Sequence, residues 1–206
     1  MSDHSVEKIG GTSMAATRTV FDNVLIGGRK GTDLYRRMFV VSAYAGITDL
    51  LLDHKKTGEP GVFAHFTSDE ADAPWPEALE AVREAMTTRN ADMFTRSESL
   101  AEANAFVDER IDGMRICLED LDRLRAYGQF LLTDALSTVR EMLSGLGEAH
   151  SAHSTALRRG IERAAQGGHR GHGAAISDPQ CRCAAHHRSE GFRRLRAHPA
   201  QSADPF

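Results

Sequence analysis

The sequence is short of the features that mark secreted and membrane proteins. It has three cysteines, too few for a disulfide framework or a paired zinc knuckle. No apolar run approaches the roughly 18 residues that a membrane-spanning helix requires, and residues 1–8 lack the basic and apolar regions of a secretory signal. These absences predict a cytoplasmic protein with no membrane partner, and no residue of the sequence is assigned as a metal ligand.

Positive charge is scarce over most of the chain. The formal net charge is −4, with 25 Lys and Arg against 29 Asp and Glu. Residues 158–206 hold nine Arg, no Lys and four acidic residues, a net +5, which leaves −9 for residues 1–157. Because binding to a phosphate backbone needs a concentrated basic surface, this acidic body argues against nucleic acid as a partner.

The last 49 residues lack the side chains that build a core. Only five are large and apolar, whereas Arg, Ala, Gly and His dominate. This composition is typical of GC-rich DNA read in a shifted frame, and we interpret residues 158–206 as a disordered, out-of-frame tail. A natural basic tail is the alternative. The tail's metal-type residues, Cys181, Cys183, His186 and His187, do not have the spacing of a zinc site.

Two strand-turn-helix units predict an α/β fold in the body of the chain. Val6 to Ile9 is a short β-type run that ends in two glycines, and helical periodicity follows as far as Gly27. Thr12 or Ser13 is the expected N-cap of that helix. The second unit has a strand over residues 38–42, a turn of small residues over 43–46, and a helix that Thr48 opens.

Helical periodicity dominates after residue 76. Apolar residues recur at helical spacing over 79–86 and again over 100–121, which predicts a helical subdomain from about 76 to 126. A third stripe runs from Phe130 to Leu143 and is expected to stop near Gly145 to Gly147. These stripes are interpreted as core.

The segment from Lys8 to Ser13, Lys-Ile-Gly-Gly-Thr-Ser, has the chemistry of a phosphate cradle. Glycines let the backbone come close to an oxyanion, and the open N–H groups of a helix start favour negative charge. A lysine at the strand end can reach a transferring phosphoryl group. The order of residues is not that of a Walker loop. A Gly-Gly turn with a solvated lysine is the plain alternative.

Three motifs in the same order resemble those of the aspartate kinases. They are the segment from Val6 to Met14, the segment Val-Val-Ser-Ala-Tyr-Ala-Gly-Ile-Thr-Asp-Leu from Val40 to Leu50, and a shorter Gly-Glu motif within residues 143–151. Ile9, Met14, Tyr44 and the segment 54–61 are similar to the ectoine-pathway type. The resemblance covers roughly residues 5–156.

The resemblance implies a fold, a reaction and a set of ligands. The fold is the N-terminal part of an amino-acid kinase domain, with a mostly parallel sheet and flanking helices, over residues 1–157. The reaction is the ATP- and Mg²⁺-dependent phosphorylation of the β-carboxylate of L-aspartate, in proteins that are usually homo-oligomers. Both reactants are anions, so catalysis requires positioning and charge neutralisation rather than a protein nucleophile.

The resemblance also implies roles for single residues. Lys8 is the catalytic group that stabilises the transferring phosphoryl, and the residues expected to hold the phosphates are Lys8, Gly10, Gly11, Thr12, Ser13, Ser42, Ala43 and Gly46. Thr48 and Glu148 are expected to bind aspartate. The alternatives are a helix N-cap for Thr48 and a first-turn acid for Glu148. His150 and His153 are expected to be surface or capping residues.

Segments that the family uses after the Gly-Glu motif are not found in this sequence. They include the Gly-Arg-Gly-Gly-Ser-Asp segment and the loop that holds adenine and ribose. The chain is therefore expected to be truncated and inactive. A non-catalytic N-lobe fragment, or a related kinase for glutamate or acetylglutamate, is the alternative.

Overall fold

The first two strands pair in parallel. The computed structural model describes residues 5–27, 29, 37–68, 73–126 and 133–166. Strand β1 (Ser5–Ile9) pairs with β2 (Arg37–Val41), and the register joins Ser5 to Arg37 and Ile9 to Val41. Both strands follow the predicted β-type runs within one or two residues, so the two expected strands are confirmed.

A broken helical segment follows β1. Its parts are α1 (Gly11–Ala15), α2 (Thr17–Val20) and a π-helical turn (Phe21–Ile26). Gly27 ends the segment in the left-handed conformation, at φ 53°, which a glycine adopts without strain. Four apolar residues of this segment are buried in the core: Met14, Val20, Phe21 and Leu25. The expected helix is thus confirmed in outline but is divided into short pieces.

The predicted N-cap of α1 is wrong. Gly10 occupies the N-cap in an extended conformation and makes no side-chain capping bond. Thr12 and Ser13 lie inside the first turn instead, and both are exposed. The reason is that the chain enters the helix directly from the strand end, before a hydroxyl is available.

After β2 the chain makes a tight turn into two short helices, α3 (Ile47–Leu51) and α4 (Val62–Phe66). Gly46 is the N-cap of α3 and has a φ of 86°. A Cβ atom on Gly61 would lie 2.5 Å from the carbonyl oxygen of Leu50, so only glycine fits where α4 begins. Residues 31–35, between the two predicted strand-turn-helix units, lie outside the described residues.

Helices α5 (Trp75–Met93) and α6 (Ser97–Ala126) occupy the stretch in which a helical subdomain is predicted. The two helices pack against each other, and their apolar stripes supply much of the core. Arg83 of α5 reaches across to Asp108 of α6 at 2.7 Å on the exposed side. The buried residues of the two stripes include Leu79, Val82, Met86, Ala103, Val107, Ile111, Met114 and Leu118.

The last helix, α7 (Thr133–Gln166), does not stop near Gly145 to Gly147, so that prediction is wrong. The glycines allow close packing here rather than ending the helix. A Cβ atom on Gly147 would lie 3.1 Å from the Cβ of Ala43, so this turn of α7 lies directly against the turn after β2. Phe130 and Leu131, at the start of the predicted stripe, lie outside the described residues.

Helix α7 also continues nine residues beyond the boundary expected at 157. Leu157 is buried, and the Arg158 guanidinium donates to the carbonyl oxygen of Met93 at 2.6 Å. These contacts explain why residues 158–166 continue the helix although their composition resembles that of the tail. The rest of the predicted tail, 167–206, lies outside the described residues, so its disorder stays a prediction.

In the described part of the chain, the structure is mostly helical with a small parallel sheet of two strands. The strand-turn-helix order and the parallel pairing agree with the α/β class. None of the helices within these ranges combines the length and apolar character that crossing a bilayer demands.

Candidate functional site

Two of the three motifs meet at one edge of the sheet. Because Ile9 pairs with Val41, both strands end at the same level, and the Ser42 backbone N–H donates to the Ile9 carbonyl oxygen at 3.0 Å. A Cβ atom on Gly11 would lie 3.5 Å from the Ala43 carbonyl oxygen. The carboxyl edge of a parallel sheet is where α/β proteins bind ligands. The predicted phosphate loop and the opposing loop are therefore neighbours.

The first loop leaves its polar groups accessible. Gly10, Thr12 and Ser13 are exposed, and Gly11 is half-buried. A Cβ atom on Gly10 would meet no heavy atom within 4 Å, so the space beside it is open. The first backbone N–H groups of a helix have no acceptor within the helix. Lys8 is exposed on β1, two residues before Gly10. This arrangement can accept an anion.

The second loop has a buried half and an open half. Ala43 and Tyr44 are buried, whereas Gly46 is exposed and faces open space where a side chain would be. Ser42 and Thr48 are half-buried. Thr48 is the second residue of α3, behind the N-cap Gly46, so the alternative interpretation of Thr48 as a helix cap is wrong.

The third motif reaches the same place through α7. A Cβ atom on Gly147 would lie 3.1 to 3.4 Å from side-chain atoms of Ala43, Ile47 and Leu51. Ala43 is therefore flanked by Gly11 of the first motif and Gly147 of the third. Three segments that are well separated along the chain thus converge on one backbone position.

Glu148 follows Gly147 and is exposed. It lies in the middle of α7 and not in a first turn, so the alternative interpretation as an acid that complements a helix dipole is wrong. Its expected role toward aspartate stays a prediction, as do the roles of the other predicted site residues.

A buried polar cluster beneath the second loop was not found from the sequence. The Asn90 Oδ1 atom lies 2.8 Å from His150 Nε2 and accepts from the Ser154 hydroxyl at 3.2 Å. Asn90 Nδ2 donates to Asn104 Oδ1 at 3.0 Å. The His150 ring stands edge-on to the Tyr44 ring, with centroids 5.2 Å apart. The cluster links α5, α6 and α7 to the loop.

The prediction that His150 and His153 are surface or capping residues is wrong. His150 is 1% exposed, and half-buried His153 stacks on Phe106 at 4.0 Å. The error follows from the expected helix end near Gly147, because a helix that runs through this point turns both rings inward. A helical period extended past Gly147 would have placed His150 on the buried stripe with Leu143 and Leu146.

Burial keeps the cluster uncharged near neutral pH. Desolvation lowers the pKa of His150 to about 4, and the nearby His153 and Arg89 act in the same direction. Desolvation raises the pKa of Tyr44 to about 12, partly opposed by the hydroxyls of Ser154 and Thr155 and by Arg89. Neutral groups so far from their pKa values are suited to holding structure rather than to transferring protons.

The described residues contain no preformed cluster of metal-ligating side chains. No group of three or more His, Cys, Asp or Glu side chains comes together in the ranges that the structure covers. Mg²⁺ is usually bound through one or two carboxylates together with substrate phosphates, so the ion does not require such a cluster. The cysteines and histidines of the tail lie outside the described residues.

Comparison with known proteins gives one informative relative. The chain is 52% identical over 161 residues to the aspartate kinase Ask_Ect of Stutzerimonas stutzeri (strain A1501), which is 77% of this chain and 34% of that protein. The chain thus spans about a third of the length of the relative. No family model and no solved structure matches the chain. Over the matched segment, this chain is related to the aspartate kinases of the ectoine type, and it corresponds to only part of that protein.

Proposed function

We propose that residues 1–157 are the N-terminal part of an aspartate kinase catalytic domain with the amino-acid kinase fold. The complete enzyme would transfer the γ-phosphoryl group of ATP to the β-carboxylate of L-aspartate and form 4-phospho-L-aspartate. This is the first step of aspartate-family amino acid biosynthesis and, for this type, of ectoine biosynthesis. The observation that carries the proposal is the convergence of three motifs on Ala43, together with the relationship in sequence.

Each loop has a distinct part in this proposal. The N–H groups of Gly10 and Gly11, with Thr12 and Ser13, would surround the phosphate oxygens of ATP. Lys8 would neutralise charge on the transferring phosphoryl group, because both reactants are anions and repel each other.

The opposing loop of Ser42, Ala43 and Gly46 would close the other side of the phosphates. Thr48 would contact aspartate from the start of α3. Glu148, one residue beyond the contact of Gly147 with Ala43, would pair with the aspartate ammonium group. Magnesium, when bound with ATP, would supply further charge neutralisation.

The 206-residue chain itself would be inactive. The Gly-Arg-Gly-Gly-Ser-Asp segment and the adenine loop that the resemblance leads us to expect are not found in its sequence. Phosphoryl transfer depends on metal and cationic groups that act together, so a partial site does not keep a proportional rate. A non-catalytic N-lobe fragment is the second candidate function; the matched segment covers 34% of the relative. The complete protein would act in the cytoplasm, in a homo-oligomer.

A chimera tests the proposal. Residues 1–157 replace the matched segment of the Stutzerimonas stutzeri enzyme, and hydroxylamine trapping measures the acyl phosphate made from ATP and aspartate. We expect activity in the chimera and none in the 206-residue chain. Glutamate and acetylglutamate serve as competing acceptors. Activity of the chain alone would contradict its truncation, and a folded chimera that prefers another acceptor would contradict the substrate.

A Lys8→Ala variant of the chimera tests the catalytic role. It should reduce turnover more than it raises the apparent KM for aspartate, because the lysine charge acts on the transferring group. Lys55→Ala is the matched control, since Lys55 is an exposed lysine in the turn after α3. Equal turnover in the two variants would remove Lys8 from the mechanism.

A further inference from the structure

The second loop is held from below by Tyr44. Its side chain is 1% exposed, and its hydroxyl lies 3.8 Å from the Met93 sulfur. Arg89, on α5, places its guanidinium group 5.6 Å from the centroid of the Tyr44 ring. The ring of His150, on α7, stands edge-on to the Tyr44 ring. Tyr44 is thus packed between two helices, while its neighbours Ala45 and Gly46 are exposed. Any shift of these helices must move the loop.

The Asn90 amide fixes how His150 is oriented. Because Asn90 Nδ2 donates to Asn104 Oδ1, its Oδ1 atom faces His150 and Ser154. An amide oxygen only accepts hydrogen bonds, so His150 must donate from Nε2. The proton therefore sits on Nε2, and Nδ1 is left as a buried acceptor with no donor among the described residues. The ring has one orientation that satisfies this bond.

We propose that Asn90 and His150 are positioning residues that hold the loop 42–46 in place through the Tyr44 ring. Neither residue touches a reactant. They act by fixing the loop 42–46, which leads through Gly46 to Thr48. Gly147 contacts the same loop at Ala43. The identity of the ligand that this loop faces rests on the proposed function; the positioning itself does not.

Hydrogen exchange in the 206-residue chain tests the proposal without any activity measurement. The reporters are the amides of Ser42 and Ile47, which donate to the carbonyl oxygens of Ile9 and Tyr44 at 3.0 and 3.2 Å. His150→Leu removes the donor to Asn90, and we expect exchange at both reporters to rise about tenfold, with a smaller change in α5 and α6.

Two further variants distinguish positioning from general destabilisation. His150→Gln keeps an amide donor near the Nε2 position and should restore slow exchange. His153→Leu removes the other inward-facing histidine of α7, which stacks on Phe106 and not on Tyr44, and should leave the loop unchanged. Equal acceleration in the loop and in both helices, or no change in the loop, would overturn the proposal.

If His150→Leu does not fold, nitrogen-15 NMR of the unaltered chain decides the question. At neutral pH the His150 spectrum should show a protonated Nε2 and an unprotonated Nδ1. A proton on Nδ1 would mean that Asn90 does not orient the ring, and the proposal would be wrong. Neither measurement depends on phosphoryl transfer, so a failed chimera assay leaves this test intact.

Discussion

The His150 Nε2 atom lies 2.8 Å from Asn90 Oδ1 and joins the middle of α7 to α5. This bond is made beneath the loop 42–46, and His150 follows closely after Gly147, which meets that loop at Ala43. The stability of a buried, neutral polar pair depends strongly on its geometry. A buried polar atom that loses its hydrogen bond costs more free energy than the bond itself contributes to folding. The pair therefore defines how α7 sits against the loop.

The buried His150 should make stability depend on pH. Its pKa falls from 6.5 to about 4 in the folded chain, so the unfolded chain binds more protons between these values. The contribution of His150 is thus complete above about pH 6.5 and is lost as the pH falls toward 4, by up to roughly 3 kcal/mol. Urea unfolding at about pH 7 and about pH 4.5 measures this loss.

The same comparison in His150→Gln provides the control for the pH effect. The variant retains His153, whose pKa is also lowered by burial and by Arg110, and it retains every carboxylate. We expect a shallower pH dependence than in the unaltered chain. If the two chains lose equal stability over the same pH interval, the effect comes from other groups and His150 is not held neutral by burial.

Close packing at Gly147 should make this glycine intolerant of larger side chains. Gly147→Leu would place atoms against Ala43, Ile47 and Leu51 and should destabilise the chain by roughly 1–3 kcal/mol. Gly113 is the matched control, because it lies inside α6 and a Cβ atom there would meet no heavy atom within 4 Å. Gly113→Ala should stabilise the chain by up to about 1 kcal/mol through helix propensity. Urea unfolding of both variants measures the two changes in the free energy of unfolding. Equal changes would contradict close packing at Gly147.

The sequence predicted the elements whose signals are local. The strand runs ended in glycine or small residues, and the stripe of Leu79, Val82 and Met86 had helical spacing, so both were recognisable. The helix end at Gly145 to Gly147 was predicted wrongly because a glycine that ends a helix and one that allows a close contact look alike. Only the contact of Gly147 with Ala43, which is far away in the chain, distinguishes the two.

The candidate site likewise has one part whose sequence signal is local and one part that depends on residues far apart in the chain. The candidate phosphate loop was predicted from contiguous residues, whereas the cluster of Asn90, Asn104 and His150 depends on three helices meeting. No single segment carries the signal of that cluster. Its prediction would have required the correct continuation of α7, and the error at Gly147 removed that possibility.

Limited trypsin digestion should distinguish the end of α7 from the tail. Arg158 donates to Met93 at 2.6 Å and lies 5.8 Å from the Phe21 ring centroid, and Arg159 lies over Phe39 at 4.8 Å. Cleavage after these two arginines requires the helix end to open. The sequence predicts early cleavage after Arg170 and the arginines that follow it. Mass spectrometry of the first products identifies the sites.

The two possible ends of the folded body, at residue 157 and at Gln166, give different fragments in that digestion. A stable product that ends at Arg170 would support the helix to Gln166, and a product that ends at Arg158 or Arg159 would support the boundary at 157. A tail as resistant as the body would contradict its predicted disorder.

The exposed face of the sheet should promote self-association of this chain. Val6 is 66% exposed, Met38 62% and Val40 48%, and the register pairs Val6 with Met38. Parallel sheets are normally covered on both faces, so this apolar face lacks its cover among the described residues, and exposed apolar patches drive association. Replacing all three residues by Thr keeps good strand formers and removes much of the apolar surface. Sedimentation at increasing concentration should then show less association.

The control for this last experiment is Ile116→Gln, which changes an apolar residue of α6 that is 44% exposed and lies apart from the sheet. Because it lowers total surface hydrophobicity but leaves the sheet face intact, association should persist in this variant. Circular dichroism of both variants establishes that helix content is retained, so that a change in association is not a change in folding. If the threonine variant associates as strongly as the unaltered chain, another surface is responsible, and if Ile116→Gln alone abolishes association, that surface lies on α6.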